Sequence, residues 1–261
     1  MSDFVYLYGF VPPDAPAPEA LAGIAERSVH IVPAGDVGAV VSSVPADVYA
    51  PEMVEEALKN LQWVAEQGVA HERVVAWFVD HSQILPVPLF TMYSTSNALE
   101  RAVAEKKDEL RSELARLRGH REWDVKVFFD ETVMQANAGG LSDRVAQIDR
   151  EIAEAGAGRA YLLQKKRADL LKSEVLHAAH NRAVAVLDAI KPDVTETRTL
   201  PLPRTDDVLP VVLHAALLVR VANEARVIET LETQTRQLKQ VGMDLSFSGP
   251  WAPYRFTGEH E

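Results

Sequence analysis

Hydrophobic and polar positions along the chain switch between a period near two and a period near 3.6, and the switch points divide it into elements. Residues 4–11 (FVYLYGFV) are dense in aromatic and β-branched side chains and predict an opening strand. Pro12, Pro13, Pro16 and Pro18 follow as a stiff connector in which no helix can start. Residues 19–27 have the composition of a short helix, and residues 30–33 and 37–43 read as strands around a Gly35-Asp36 turn. Pro51 stands where a helix tolerates proline, and Val54, Leu58, Leu61 and Val64 continue at helical spacing to Gly68. Residues 74–79 and 84–90 predict strands, the second interrupted by Pro86 and Pro88. Ser96 or Asn97 caps a helix over residues 98–117, which Gly119 ends.

The pattern then restarts. Residues 123–130 (WDVKVFFD) alternate as a half-buried strand. Leu141, Val145, Ile148 and Ile152 make an amphipathic stripe, which Gly156 and Gly158 break. Residues 160–190 are a second, longer helix closed by Pro192, so residues 141–190 predict an antiparallel helical hairpin. Strands over 195–202 and 211–221, a helix over 224–241 stopped by Gly242, and a strand over 243–248 complete the order β-αα-β-β-α-β. That is a ferredoxin-like unit with its first helix expanded into a hairpin. The expected class is α+β with two mixed domains. Residues 1–120 form the first, residues 121–248 the modified ferredoxin-like second, and residues 249–261 a C-terminal tail.

Composition narrows the function. The 261 residues carry 27 Lys and Arg against 38 Asp and Glu, a formal charge of −11. Such a balance argues against a general nucleic-acid binder, because phosphate-backbone affinity rests on Lys and Arg. There are no cysteines, which excludes a disulfide scaffold, a cysteine nucleophile and thiolate metal sites. The longest apolar stretch, residues 211–219, is interrupted by His214 and is about half of a membrane span. The N-terminus enters a strand without a basic n-region or cleavage site, so the expected location is cytoplasmic, with no membrane partner.

Candidate chemistry is thin. His71-Glu72 begins like a zinc-protease motif, but position 75 is valine where the second histidine belongs. Glu174, His177 and His180 are spaced at three along a helix, half of a di-iron motif. The second half is missing, and Asp149, Glu151 and Glu154 on the facing helix are of unknown orientation. Solvated or capping histidines are the stronger reading. Gly156-Ala-Gly158-Arg159 has neither the third glycine of a dinucleotide fingerprint nor a P-loop Gly-Lys, and fits a hairpin turn better. Lys165-Lys166-Arg167 reads as a solvated face. No Gly-x-Ser-x-Gly elbow exists, and Ser246-Phe-Ser248-Gly249 has no following helix to support a nucleophile. No catalytic residue, metal ligand or cofactor site is assigned. The closing segment Gly249-Pro-Trp-Ala-Pro-Tyr-Arg-Phe256 packs three aromatics and two prolines into eight residues. Exposed, it is a recognition segment; buried, it is a staple.

Several stretches together carry a resemblance. They are Tyr6-Leu-Tyr-Gly-Phe-Val11, His71-Glu-Arg-Val74 with Ile84-Leu-Pro86, and Glu122-Trp-Asp-Val-Lys-Val127. Gly158-Arg-Ala-Tyr-Leu-Leu163 with Lys165-Lys166, and Ser248-Gly-Pro-Trp-Ala-Pro-Tyr-Arg-Phe256, complete the set. In this order and at these distances the chain resembles the gas vesicle protein L/F family. One departure stands out. After Leu-Pro the family pattern runs through an apolar residue, an arginine, an aromatic and a glycine to a threonine. Here Val87 is followed by Pro88, Leu89 and Phe90 before Thr91.

The resemblance implies two α+β domains, the second ferredoxin-like. It implies a non-enzymatic accessory or minor structural protein of gas vesicles, cytoplasmic and vesicle-associated. Such a protein takes part in assembly or nucleation by contacting the small hydrophobic shell protein and other accessory proteins. No cofactor or small-molecule substrate is expected. Trp251, Pro253, Tyr254 and Phe256 of the tail, with Tyr161, are the candidate partner-binding residues. The alternative is a ligand-binding regulatory protein with a ferredoxin-like domain.

Overall fold

The computed structural model describes residues 3–136, 143–203 and 209–258. The chain divides into two units. The first contains Met1–Glu122 and takes back the C-terminal segment Pro250–Glu261; the second is Trp123–Gly249.

In the first unit, strand β1 (Phe4–Val11) is central, and its residues from Tyr6 onward are buried. It pairs antiparallel with β3 (Val37–Val44), which in turn pairs with β2 (His30–Ala34). Its other edge holds the two-residue strands β4 (Leu85–Pro86) and β5 (Met92–Tyr93). The β1–β3 register slips between Leu7 and Gly9, as a bulge does. A Cβ at position 9 would lie 2.4 Å from the Leu85 carbonyl oxygen, so only glycine lets β4 come this close. Helices α1 (Ala46–Tyr49), α2 (Pro51–Ala57) and α3 (Leu61–His81) follow β3, and α4 (Ser96–Glu105) and α5 (Lys107–Arg116) follow β5. The Asn60 side chain accepts from the Gln62 and Trp63 amides and so caps α3. The core joins Tyr6, Tyr8, Val40, Val74, Val75 and Phe78, with Ala252 from the returning segment.

In the second unit the sheet order is β7-β8-β6-β9, built from β6 (His120–Phe129), β7 (Val194–Thr199), β8 (Val211–Arg220) and β9 (Met243–Trp251). The short α6 (Glu131–Ala136), α7 (Asp143–Glu154) and the 34-residue α8 (Ala157–Ile190) lie between β6 and β7, and α9 (Glu224–Lys239) lies between β8 and β9. On α8, Val175, Ala179, Ala183, Val186 and Ile190 recur at helical spacing and pack with Val125, Val127, Leu213 and Leu217. Small residues at 179 and 183 allow the helix to approach the sheet closely. Val145 and Ile148 on α7 are buried as their spacing predicts, whereas Leu141 lies outside the described residues.

Four local expectations are corrected. Residues 74–79 are not a strand but the last turns of α3. Their β-branched run is a buried helix face, with His71, Val74, Val75, Phe78 and Val79 at helical steps, and the helix runs through Gly68 at a propensity cost of about 1 kcal/mol. Residues 19–27 are not a helix but carry a single 3-10 turn, Ile24–Glu26, closed by an Ala22–Ser28 bridge. The expected helix over 98–117 is two helices, broken at Lys106, and its cap is Thr95, whose hydroxyl accepts from the Ala98 amide. The strand expected over 84–90 shrinks to Leu85–Pro86, and Phe90 adopts a left-handed backbone (φ 66°). That is the position where the family pattern has glycine. A bulky residue there costs about 1 to 3 kcal/mol, and two interactions offset it. The Phe90 ring stacks on Trp63 (centroids 5.3 Å apart, planes 4° apart), and its amide donates to the Tyr6 hydroxyl at 3.1 Å.

Gly23 offers a test of the close packing around β1. A Cβ there would fall 2.0 Å from the Tyr8 hydroxyl, which accepts from the Ile24 amide at 2.7 Å and bonds the Ser42 hydroxyl at 2.8 Å. Gly23→Ala is expected to lose about 2 to 3 kcal/mol in urea unfolding through displacement of that hydroxyl. A neutral substitution would contradict the packing.

Candidate functional site

The strand period of two puts Tyr6 and Tyr8 on one face of β1, and both rings are fully buried. His71 on α3 meets them, with ring centroids 5.8 and 5.4 Å away. The Tyr6 hydroxyl accepts from the Phe90 amide, so its single proton goes to His71 Nδ1 at 2.8 Å. That assignment leaves the imidazole proton on Nε2, which is buried and without a hydrogen-bond partner. Burial drives the His71 pKa from 6.5 down to about 4, against a smaller opposing pull from the Val87 backbone. Burial also pushes the Tyr6 and Tyr8 hydroxyls up, so both stay neutral. A histidine in this setting is a neutral packing element.

The next residue, Glu72, joins this cluster to the returning C-terminal segment. Its Oε2 accepts from the Tyr254 hydroxyl at 3.1 Å. Burial raises the Glu72 pKa, and the Glu122 charge adds to that rise. Glu122 itself is 2% exposed. Arg255 answers it twice, through the guanidinium to Oε1 at 2.6 Å and through the backbone amide to Oε2 at 2.9 Å. The Arg116 guanidinium, also paired with Glu113, donates to the Phe256 carbonyl. Residues 254–256 form one 3-10 turn, with Phe256 and Ala252 fully buried.

The structure therefore brings together five segments that are remote in sequence. They hold Tyr6 and Tyr8, His71 and Glu72, Leu85 and Pro86, Glu122, and Tyr254 to Phe256. Of the candidate partner-binding residues, Phe256 and Pro253 are interior and Tyr254 is half-buried, so in this fold they hold the segment down. Trp251 is 39% exposed and Tyr161, on α8, is 69% exposed. The Glu122–Arg255 pair was missed by sequence reasoning. Its only signal was that both residues lie inside stretches that carry the resemblance.

The remaining candidates scatter. His177 and His180 are exposed on α8. Glu174 pairs with Arg144 at 3.4 Å, and Asp149 pairs with Arg167, so these carboxylates tie α7 to α8. Among the described residues no group of three His, Asp or Glu could hold a metal ion. In the second unit His214 Nε2 meets Asp124 Oδ2 at 2.9 Å, while its Nδ1 meets the Pro201 carbonyl at 3.1 Å. Both ring nitrogens are thus engaged, leaving none to act as a base toward a ligand. Gly156 caps the N-terminus of α8 without any side-chain hydrogen bond.

What the fold defines is an α+β protein of two antiparallel sheets with helices, whose motif residues are spent on closing the chain. The family described as gas vesicle synthesis protein GvpL/GvpF matches residues 4–258, and the chain belongs to that family. It is 26% identical over 265 residues to gas vesicle protein L of a Streptomyces species, covering 97% of this chain and 92% of that one. It is 24% identical over 248 residues to gas vesicle protein L of Haloferax mediterranei, covering 90% and 72%. The fold is similar to the crystal structure of the gas vesicle protein GvpF from Anabaena, with TM-score 0.77 and 19% identity over the whole of both chains. It is also similar to that of GvpF from Microcystis aeruginosa, with TM-score 0.69 and 20% identity over 98% and 99%. Among the described residues no helix is long and apolar enough to cross a membrane.

Arg255→Ala removes the guanidinium from the buried Glu122 carboxylate while the residue-255 amide stays in place. A fully buried pair broken in this way loses about 3 to 5 kcal/mol. Because the Arg255 side chain is 38% exposed, water reaches part of the site and the expected loss is about 2 to 4 kcal/mol. Glu122→Gln in the same background should restore part of it in urea unfolding, and no recovery would mean that the charge is not the cause.

Between pH 6.5 and about 4 the unfolded chain protonates His71 while the folded chain does not. The His71 contribution is therefore flat above 6.5 and falls as pH drops, by about 3 kcal/mol at pH 4. Glu72, whose pKa is raised, works in the opposite sense at the acid end. The stability difference between wild type and His71→Gln should shift by that amount from pH 7 to pH 4. A pH-independent difference would overturn the buried neutral assignment.

Proposed function

We propose that this chain is a non-enzymatic accessory protein of gas-vesicle assembly that binds the small hydrophobic shell protein and companion accessory proteins. The observation that carries the reading is the family match over residues 4–258. Two features support the non-enzymatic part. Of the histidines and carboxylates that draw attention in the sequence, His71, Glu174 and Asp149 are engaged by Tyr6, Arg144 and Arg167. The closing aromatic segment is fixed in the first unit by Glu72 and Glu122.

The ferredoxin-like reading of the second unit rests on its strand order β7-β8-β6-β9 and on the placement of α8 and α9 after the first and third strands. Trp251 and Tyr161 are the aromatic residues of the candidate set that are exposed. Aromatic anchors of this kind dominate interfaces, and each is worth about 2 kcal/mol or more where it is a hot spot.

The test is capture of the small shell protein by the purified full chain, with Trp251→Ala and Tyr161→Ala as variants. Capture by the wild type, weakened about thirtyfold in at least one variant with an unchanged melting temperature, is the expected result. No capture by the wild type would overturn the shell-binding reading. Removal of residues 249–261 is the wrong variant, because it strips the partner from buried Glu122 and the Phe256 ring from the core.

A further inference from the structure

Helix α8 is 34 residues long, about 51 Å. Its C-terminal part, from Leu171 onward, is committed to the core of the second unit. Helix α7 packs on α8, and toward the N-terminus of α8 Leu163 is buried while residues 161, 162 and 164–166 are exposed. There Tyr161 is 69% and Leu162 66% exposed. Residues 159–172 carry five cations, Arg159, Lys165, Lys166, Arg167 and Lys172, against the single carboxylate of Asp169. Arg167 is paired with Asp149, but Arg159, Lys165 and Lys166 have no ion-pair partner among the described residues. Nothing in the fold calls for them. Arg159 stands in the first turn, where the helix dipole disfavours a cation, and that turn contains no acidic residue.

The first unit carries a surface of the opposite kind. Residues 47–66 hold five carboxylates, Asp47, Glu52, Glu55, Glu56 and Glu66, against the single Lys59. Lys59 pairs with Glu56, and Asp47, Glu52 and Glu55 have no ion-pair partner among the described residues. The same stretch exposes Val48, Met53, Leu58 and Leu61, the last at 81%. Exposed apolar side chains set among charges of one sign mark a docking surface.

We infer that these two surfaces recognise each other between copies of this chain. The basic, aromatic end of the α7–α8 hairpin of one copy lies on the acidic, apolar α2–α3 surface of the next. Charge complementarity selects the occupant. In a protein of net charge −11, a free cationic cluster is drawn to the acidic surface that every neighbouring copy presents. Leu162 and Tyr161 then bury against Met53, Leu58 and Leu61. Because the two surfaces differ, the contact is heterologous and runs head to tail, closing a ring or propagating. Tyr161 is shared with the shell-protein reading, but the contact is tested on the chain alone, so the two readings can fail separately.

The experiment is sedimentation of the full-length chain from about 1 µM to about 200 µM, at low and at high salt. Reversible association is expected, weakened at least about tenfold as the Debye length falls from about 10 Å at 0.1 M to about 3 Å at 1 M. The charge-reversed variants Lys165→Glu/Lys166→Glu and Glu52→Lys/Glu55→Lys should each sediment as monomers, with melting temperatures close to wild type because all four side chains are exposed. Mixed in equal amounts, the two variants should associate again. A chain that is monomeric throughout the range overturns the inference. So does association that either charge reversal leaves unchanged, or a mixture that stays monomeric.

Discussion

The buried carboxylate of Glu122 is the constraint on which the first unit depends. At 2% exposure it cannot be solvated by water, and an isolated ionised carboxylate is untenable in such a place. Arg255 satisfies both of its oxygens, one through the guanidinium and one through the backbone amide, from 133 residues away. The amide bond fixes the path of the chain as well as the charge. It sets residues 254–256 in a turn that seats Phe256 in the interior and brings Tyr254 to Glu72. The chain leaves the first unit at Glu122 and returns at Pro250, so the unit is complete only when the last residues have been made.

The same logic runs through the aromatic core. Tyr6, Tyr8 and His71 are large, buried and polar at one end, and apart from His71 Nε2 their polar atoms are answered by one another, by Ser42 and by the Ile24 and Phe90 amides. A core of aliphatic side chains would bury as much area with less demand on position. Hydrogen-bonded aromatics fix register, because a displaced partner leaves a buried donor or acceptor unpaired. This accounts for two local oddities. Position 23 must be glycine to leave room for the Tyr8 hydroxyl, and Phe90 is held in a left-handed conformation with its amide on Tyr6.

In this member of the GvpL/GvpF family, this allocation of residues separates scaffold from surface. The motif residues hold the fold together, and much of the exposed charge and apolar surface lies on helices. The basic end of α8 and the acidic stretch from Asp47 to Glu66 are the parts whose charge and apolar exposure the fold itself does not use.

Much of the architecture was legible because periodicity is a local property. The strands at 4–11, 37–44 and 211–220, the long helix ending before Pro192 and the helix after β8 follow from spacing and from Pro and Gly punctuation. Residues 74–79 were misread because a β-branched run is locally ambiguous; only packing of Val74, Val75 and Phe78 against β1 makes it a helix face. The sequence by itself determined most of the elements, the absence of thiol chemistry, the acidic balance and the family, all of which are written in residue identity and order. Tertiary structure alone decided that the closing aromatic segment is anchored, that His71 is neutral, and that Glu122 belongs to Arg255. Each of those depends on which groups lose water together, and residues 133 positions apart carry no local sign that they will meet.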